Sequence, residues 1–217
     1  MLHGLGGTSN VWTPQMSAVG ARFRAIRFDL PGSGRSPCPA TPLSIGSIVD
    51  AVLRALRVLG VQAAHFAGHS MGTIVCQHLA DREPAMVKSL ALVGPVHALA
   101  EAGRQGMRER AAKVRVEGMP EVAEAIVKAA TSGDTKASNP VGIAPIRELL
   151  MRQDPEGYAR NCEALAAAQP ADLERIRCRT LLVTGDEDAV APPSSVRTMA
   201  DRLHDARAVV LSRCGHW

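Results

Sequence analysis

Short apolar runs, bounded by Gly, Pro and charged residues, recur along the 217-residue chain. These runs predict strands at 64–69, 87–93, 180–184 and 208–212, and an alternating pattern predicts another strand at 23–29. Between them, apolar residues return every three or four positions, which is the spacing of helices. Strands that alternate with helices indicate an α/β fold, in which a mostly parallel central sheet is flanked by helices.

The helical pattern is strongest over 45–59, where Ser44 is a suitable N-cap and Gly60 a suitable stop. The same criteria predict further helices at 11–19 with Asn10 as N-cap, at 74–82 and at 194–203.

The pattern changes between residues 96 and 169. This stretch is rich in Ala and Arg, shows no strand pattern, and has helical segments separated by prolines. Within it, Asp154-Pro155-Glu156 combines an N-cap, a proline at the first helical position and an acidic first turn, which predicts the start of a helix. We therefore divide the chain into a core of residues 1–95 and 170–217 and a helical lid, or cap, inserted at 96–169.

Composition is that of an ordinary globular protein, with 46% hydrophobic residues and a mean hydropathy of +0.01. No apolar run approaches the length that spans a bilayer, so no membrane partner is expected. The net charge of +4 comes from Lys and Arg dispersed among Asp and Glu, which argues against a nucleic-acid partner. The five cysteines are far apart and in no Cys-x-x-Cys spacing, so we expect neither a disulfide framework nor a metal site, and a cytoplasmic location.

Candidate chemistry is concentrated at Gly68-His69-Ser70-Met71-Gly72, which matches the GxSxG motif. A predicted strand precedes the motif and a predicted helix follows it, as in a nucleophile elbow, where a sharp turn presents the serine at its tip. Glycines fit at both ends because the tight turn leaves no room for a Cβ atom. Without these flanking elements, the motif would be read as an ordinary serine in a turn. The context predicts Ser70 as a nucleophile.

A serine nucleophile needs a base within hydrogen-bond reach and an acid that holds the base. His216 follows Gly215 just beyond the last predicted strand, so the sheet would bring it to the same edge as the elbow. For the acid, Asp186, Glu187 and Asp188 all follow the preceding predicted strand. The residues alone leave these three open.

Six motifs occur in an order that resembles one known family. They are HGLGG at 3–7, DLPGSGRS at 29–36, GHSMG at 68–72, DPEGYA at 154–159, GDED at 185–188 and GH at 215–216. On these motifs the chain resembles α/β-hydrolases of the beta-ketoadipate (3-oxoadipate) enol-lactonase type over nearly its whole length. The resemblance implies the α/β-hydrolase fold, a catalytic triad of Ser70, Asp188 and His216, and no cofactor.

The resemblance also implies an oxyanion hole. Its two backbone N–H donors would be those of Leu5 and Met71, and Met71 begins the elbow helix, whose dipole favours negative charge. His3 is expected to order the loop of Leu5, and Asp29 to order a neighbouring loop without a catalytic role. His69 is expected to pack beside the turn.

The substrate pocket is less well defined by the sequence. We expect Trp12, Met119 and Trp217 to line it between sheet and lid, although apolar residues at such positions are more often plain core. The lid offers several arginines for a substrate carboxylate, and the sequence does not choose among them. They are Arg104, Arg108, Arg110, Arg115, Arg147 and Arg152.

Both ends of the chain differ from the family pattern. Only Met1 and Leu2 stand where the family has a central strand before HGLGG and further strands before that one. The chain also stops at Trp217, where the family continues into a helix. We therefore expect these N-terminal strands and the C-terminal helix to be missing. The strands beside the gap must then pair directly or leave buried N–H and C=O groups unpaired.

These features predict an enzyme, a cofactor-independent serine hydrolase that cleaves a small carboxylic ester or enol-lactone through an acyl-enzyme. A carbon–carbon bond hydrolase and a cofactor-free perhydrolase are alternatives within the same fold. An alternative of another class is a catalytically silent binding module of this fold, or a truncated fragment. The motifs specify neither the natural substrate nor the oligomeric state.

Overall fold

The computed structural model describes residues 1–217, and a parallel sheet of four strands lies at its centre. The strands β1 (Ala64–His69), β2 (Val87–Val93), β3 (Arg179–Gly185) and β4 (Ala206–Leu211) are neighbours in that order, and every pair is parallel. The predicted α/β fold with a parallel sheet is confirmed. Because the strands run in one direction, the loops at their carboxyl ends share one edge of the sheet, where α/β proteins place their sites.

Nine α-helices accompany the sheet. They are α1 (Met16–Gly20), α2 (Ile45–Val58), α3 (Met71–Arg82), α4 (Glu101–Glu117), α5 (Pro120–Ala130), α6 (Gly133–Ser138), α7 (Pro140–Met151), α8 (Pro155–Ala166) and α9 (Pro193–Arg202). In the core, α3 packs on β1 and β2, α2 packs on α3, and α9 packs on β3 and β4. None of the helices combines the length and the apolar character that crossing a membrane requires.

The helix α2 shows how the sequence pattern becomes structure. Ser44 and Ser47 cap each other's backbone: Ser44 Oγ accepts from the Ser47 N–H at 3.1 Å, and Ser47 Oγ accepts from the Ser44 N–H at 3.0 Å. The predicted cap is confirmed. The apolar face of α2 joins a core cluster of 30 buried hydrophobic residues, which also includes side chains of α3 and of the sheet.

The first helix begins earlier than predicted. Residues Ser9–Gln15 form a 3-10 helix that continues into α1. Its N-cap is Thr8, whose hydroxyl accepts from the Asn10 N–H at 3.2 Å. Thr8 has the extended backbone that an N-cap requires, with φ −140° and ψ 177°, whereas Asn10 already lies inside the helix.

The strand predicted at 23–29 is wrong. That segment has an alternating pattern, but apart from a local bond from the Phe23 N–H to the Val19 carbonyl, its only hydrogen bonds to other backbone groups are those to Met1. The amino group of Met1 donates to the Ile26 carbonyl at 2.8 Å, and the Met1 carbonyl accepts from the Phe28 N–H at 3.3 Å. One partner residue does not make a ladder, so the segment lies outside the sheet.

The next residue, Leu2, continues this contact toward β1. It forms an isolated parallel bridge with Gly68, in which the Leu2 N–H donates to the Ala67 carbonyl at 2.8 Å and the Leu2 carbonyl accepts from the His69 N–H at 3.0 Å. The segment 23–29 and β1, the two segments expected on either side of a missing strand, therefore do not pair directly, because Met1 and Leu2 lie between them. A cavity of about 780 Å³ lies beside this contact and is lined by Met1, by residues of β1 and by part of the segment 23–29. None of the candidate catalytic residues lines it.

Residues 96–169 contain the helices α4 to α8 and no strand. The helix α4 packs along α8, and α5 packs against α7. Two small clusters of buried side chains, separate from the main core, hold these helices together. We refer to residues 96–169 as the helical insertion. Its role as a lid stays a prediction.

Candidate active site

Ser70 stands at the turn between β1 and α3. Its φ of 50° and ψ of −118° place a non-glycine residue in a region that L-amino acids rarely adopt. Two glycines make the turn possible. A Cβ on Gly68 would lie 2.6 Å from the Gly72 carbonyl oxygen, and one on Gly72 would lie 2.5 Å from the Leu2 carbonyl oxygen. The backbone therefore has the geometry of a nucleophile elbow.

His216 and Asp188 form a buried hydrogen-bonded pair. His216 Nδ1 lies 2.8 Å from Asp188 Oδ2, and the two side chains are 5% and 1% exposed. Asp188 Oδ1 accepts from the N–H groups of Val190 at 2.8 Å and Ala191 at 2.7 Å. Burial alone would raise the pKa of Asp188, but the hydrogen bonds from His216 and from the backbone outweigh it, so the pKa lies below its usual value. Asp188 is therefore ionised at neutral pH.

The two rival acids have other partners. Asp186 accepts from the backbone N–H of Cys214 at 3.1 Å, and Glu187 accepts from the backbone N–H of Gly133 in the helical insertion at 2.8 Å. Of the three acidic residues that the sequence left open, the structure brings Asp188 to His216.

The other ring nitrogen of His216, Nε2, has no hydrogen-bond partner. Because an ionised carboxylate can only accept, Nδ1 carries the ring proton and Nε2 carries a lone pair. Nε2 is buried and makes no hydrogen bond, so it is not bonded to Ser70 Oγ. The end of β2 links the two residues. The Val93 carbonyl accepts from the Ser70 N–H at 3.0 Å, and a Cβ on Gly94 would lie 2.7 Å from His216 Cε1.

The loop of residues 3–7 presents one backbone donor. The Leu30 N–H donates to His3 Nε2 at 2.9 Å, so the ring proton of His3 is on Nδ1, which donates to the Gly4 carbonyl at 2.8 Å. The Gly7 N–H donates to the same carbonyl at 3.0 Å. In a trans peptide the N–H points opposite to the carbonyl, so the Leu5 N–H points away from these partners and donates no hydrogen bond. Burial lowers the pKa of His3 to about 4, which keeps the ring neutral.

The second donor comes from the elbow helix. Met71 is the first residue of α3, so its N–H has no acceptor within the helix. The loop of residues 3–7 lies against the elbow, because a Cβ on Gly4 would be 2.8 Å from Ser70 Cβ. The loop that carries the Leu5 N–H therefore lies against Ser70, and Met71 follows Ser70 directly in the chain.

Two of the three predicted pocket residues lie near the base. Trp12 and Trp217 line a cavity of about 230 Å³ together with Asp188 and His216, but Ser70 is not among its lining residues. Met119 is placed differently: it is 3% exposed and belongs to a buried cluster of the helical insertion. Met119 does not line this cavity, and its place in a substrate pocket between sheet and lid stays a prediction.

Five of the six candidate arginines are already engaged by the protein. Arg104 donates to the carbonyls of Ala166 and Ala168, and the other four pair with glutamates. These pairs are Arg108 with Glu101, Arg115 with Glu156 and Glu163, Arg147 with Glu124, and Arg152 with Glu148. No group of three or more His, Cys, Asp or Glu side chains has an arrangement that could hold a metal ion.

Sequence reasoning missed two contacts of the base. His69 Nε2 lies 2.8 Å from the carbonyl oxygen of His216, and the Ala130 carbonyl accepts from the N–H groups of both His216 and Trp217. A histidine beside a serine in GxSxG is a visible signal, but its partner is 147 positions away in the chain.

Comparison with known proteins identifies the family. The sequence model of one protein family, described as "alpha/beta hydrolase fold", matches residues 1–217. The enol-lactonase from Burkholderia xenovorans LB400 has a similar structure, with a TM-score of 0.93 and 32% identity, covering 99% of this chain and 83% of that chain. A thermophilic esterase from Thermogutta terrifontis gives a TM-score of 0.94 at 26% identity, covering 99% of this chain and 80% of that chain.

A curated relative agrees with these structures. The 3-oxoadipate enol-lactonase 2 of Acinetobacter baylyi is 28% identical over 209 residues, which are 95% of this chain and 77% of that protein. With a family match over the whole chain, a parallel sheet and similar solved structures, the chain belongs to the alpha/beta hydrolase fold family, resembles its enol-lactonases and is a hydrolase.

Proposed function

We propose that the chain is a serine hydrolase that cleaves a small carboxylic ester or an enol-lactone, with Ser70 as nucleophile, His216 as base and Asp188 as acid. One observation carries the proposal: Asp188 and His216 form a buried pair at 2.8 Å that leaves Nε2 unpaired, and the strained turn at Ser70 meets the same end of β2 as the His216 ring. Relatives named as enol-lactonase and esterase support this substrate class.

In the first half-reaction, Ser70 Oγ attacks the carbonyl carbon of the substrate while His216 Nε2 takes the hydroxyl proton. The carbonyl oxygen becomes an oxyanion, to which the N–H groups of Leu5 and Met71 donate in this mechanism. Asp188 stabilises the imidazolium that forms. When the carbon–oxygen bond of the ester breaks, Nε2 returns the proton to the leaving oxygen, and the acyl group stays on Ser70.

In the second half-reaction, a water molecule loses a proton to His216 Nε2 and attacks the acyl carbon. The same two N–H groups stabilise the second oxyanion, and Ser70 leaves with the proton that Nε2 returns. For a lactone, the leaving oxygen is part of the acyl group, so the ring opens in the first half-reaction and a single product is released in the second. An enol product then forms its keto tautomer.

The free His216 Nε2 fits this sequence of steps. In proteins without bound substrate, catalytic hydrogen bonds are often long and tighten in the complex. A small movement of the Ser70 hydroxyl toward Nε2 on substrate binding completes the triad, without a change in the Asp188–His216 pair.

The experiment is turnover of a short-chain p-nitrophenyl ester and of a small enol-lactone by the wild type, Ser70→Ala and a matched control, Ser17→Ala. Ser17 is exposed on α1, far from the elbow in sequence. We expect Ser70→Ala to lose about 10³-fold or more in kcat and Ser17→Ala to keep wild-type activity. A Ser70→Ala variant with wild-type activity, or a folded wild type that turns over neither substrate, would contradict the proposal.

We also propose a cytoplasmic location. All five cysteines are free thiols. Two of them, Cys76 and Cys162, are buried. Unpaired cysteines throughout a chain are typical of a reducing compartment. Labelling of intact cells with an impermeant thiol reagent, compared with labelling after lysis, tests the location, since a cytoplasmic chain reacts only after lysis.

A further inference from the structure

His69 is a buried histidine that the proposed mechanism does not use. It ends β1, directly before Ser70, and is 8% exposed. Its Nε2 lies 2.8 Å from the carbonyl oxygen of His216, and its ring centroid is 5.0 Å from the rings of both His216 and Trp217. The side chain therefore joins the strand of the proposed nucleophile to the backbone of the proposed base.

The chemistry of this contact fixes the state of the His69 ring. A carbonyl oxygen can only accept, so Nε2 carries the proton and donates it. Burial, and then the nearby His216, lower the pKa of His69 to about 3, so the ring is neutral at working pH. A neutral ring adds no second positive charge when His216 becomes an imidazolium during turnover.

The backbone of the base has few other supports. Residues 212–217 follow β4 and belong to no helix or strand. The Ala130 carbonyl, at the end of α5, accepts from the His216 N–H at 2.8 Å and from the Trp217 N–H at 2.9 Å. Asp188 holds the imidazole ring. His69 holds the remaining polar group, the His216 carbonyl, and it is the contact that comes from the elbow itself.

We propose that His69 is a positioning residue, which sets the place of His216 Nε2 relative to Ser70 by donating a hydrogen bond to the His216 carbonyl. The consequence for turnover rests on the proposed function, whereas the contact with His216 does not. When the donor is lost, the Ala130 carbonyl alone holds the His216 backbone, which can then shift relative to Ser70. A displacement of about 1 Å at a reacting group can cost about a hundredfold in rate.

Two variants separate positioning from packing. His69→Phe keeps an aromatic ring in the same space but removes the donor, and His69→Gln places an amide N–H near the position of Nε2. We expect His69→Phe to lower kcat on a p-nitrophenyl ester by about 10- to 100-fold with little change in KM, and His69→Gln to recover most of that loss. The control is His65→Phe, which changes an exposed histidine of β1 that is paired with Ser89 and should leave kcat unchanged.

A spectroscopic measurement tests the contact without substrate. Proton NMR of the wild type should show the His216 Nδ1 proton, which Asp188 holds, as a far-downfield resonance protected from exchange with water. We expect that resonance to broaden or disappear in His69→Phe and to persist in His69→Gln and His65→Phe. Thermal unfolding of each variant shows whether the fold is retained.

The two measurements fail in different ways. If the wild type hydrolyses no ester but His69→Phe still loses the resonance, the proposed function is wrong and the positioning role stands. If His69→Phe keeps both the wild-type kcat and the wild-type resonance, the positioning role is wrong. Equal losses of kcat and of resonance in His69→Phe and His69→Gln would also overturn it, because the N–H donor would then be irrelevant.

Discussion

Asp188→Asn changes the proposed acid without changing its shape. The orientation of the new amide follows from the structure. The N–H groups of Val190 and Ala191 both point at Oδ1, at 2.8 and 2.7 Å, and only the amide oxygen can accept from them. The amide nitrogen must therefore replace Oδ2 and face His216 Nδ1, which lies 2.8 Å away in the wild type.

This orientation gives His216 the wrong tautomer. Since the new amide presents a donor to the ring, Nδ1 must accept, and the ring proton moves to Nε2. Nε2 can then no longer take the proton of Ser70. In a Ser-His-Asp triad this change costs about 10⁴-fold in kcat, which corresponds to about 5.5 kcal/mol of activation free energy.

The assay compares kcat for hydrolysis of a p-nitrophenyl ester with thermal unfolding followed by circular dichroism. The matched control is Glu187→Gln, since the Gln amide oxygen can still accept from the Gly133 N–H that Glu187 binds at 2.8 Å. We expect the control to keep wild-type kcat. A folded Asp188→Asn variant within about tenfold of the wild type would refute the tautomer argument, because the expected loss is about 10⁴-fold.

Two further predictions concern the buried loop and the buried histidines. Gly4→Ala should lower kcat by about a hundredfold, since its Cβ would lie 2.8 Å from Ser70 Cβ and displace the oxyanion loop. Gly20→Ala, where nothing lies within 4 Å, should not change kcat, and equal losses in both would refute this explanation. The free energy of unfolding should fall as the pH is lowered from about 6.5 to about 4. The reason is that burial lowers the pKa of His3 to about 4 and the pKa of His69 to about 3 in the folded state only. Below pH 6.5 the unfolded chain binds more protons, so each histidine contributes a slope of about 1.4 kcal/mol per pH unit until its folded pKa is reached. Urea unfolding at a series of pH values measures the slope, which should be smaller in His69→Phe. An identical slope in that variant would contradict the pKa shift.

Local sequence signals predicted the elements that depend on near neighbours. The cap of Ser44 on α2 and the Asp154 cap of α8 each involve residues three positions apart, so the sequence contains the whole interaction. The elbow is similar, because the glycines that permit it lie two positions on either side of Ser70. These are the features in which prediction and structure agree most closely.

Predictions that needed a distant partner were less successful. The segment 23–29 has a strand pattern, but a strand exists only when a neighbouring strand supplies a ladder, and here Met1 alone stands in the place of such a strand. Met119 has the apolar character of a pocket residue, and the structure places it in a buried cluster of the insertion helices, away from the cavity at His216. The choice of Asp188 among three acids required the resemblance to a family, because chain position alone does not show which carboxylate faces His216.

The contacts of the base were the least predictable part of the site. His69 and Ala130 meet His216 across 147 and 86 positions of chain, and at least one of the two partners in each contact is a backbone group. A backbone carbonyl or N–H leaves no residue-type signal in the sequence. Such contacts become visible only when the fold is known.

Labelling with a fluorophosphonate serine probe tests the central claim most directly, since the probe reacts with a serine that its own protein has activated. The purified chain is compared with Ser70→Ala and with a heat-denatured sample, and mass spectrometry of the digested protein identifies the modified residue. The account predicts one label per chain, on Ser70, that is absent from both controls. A folded chain that takes up no label, or that is labelled on another residue, would contradict it.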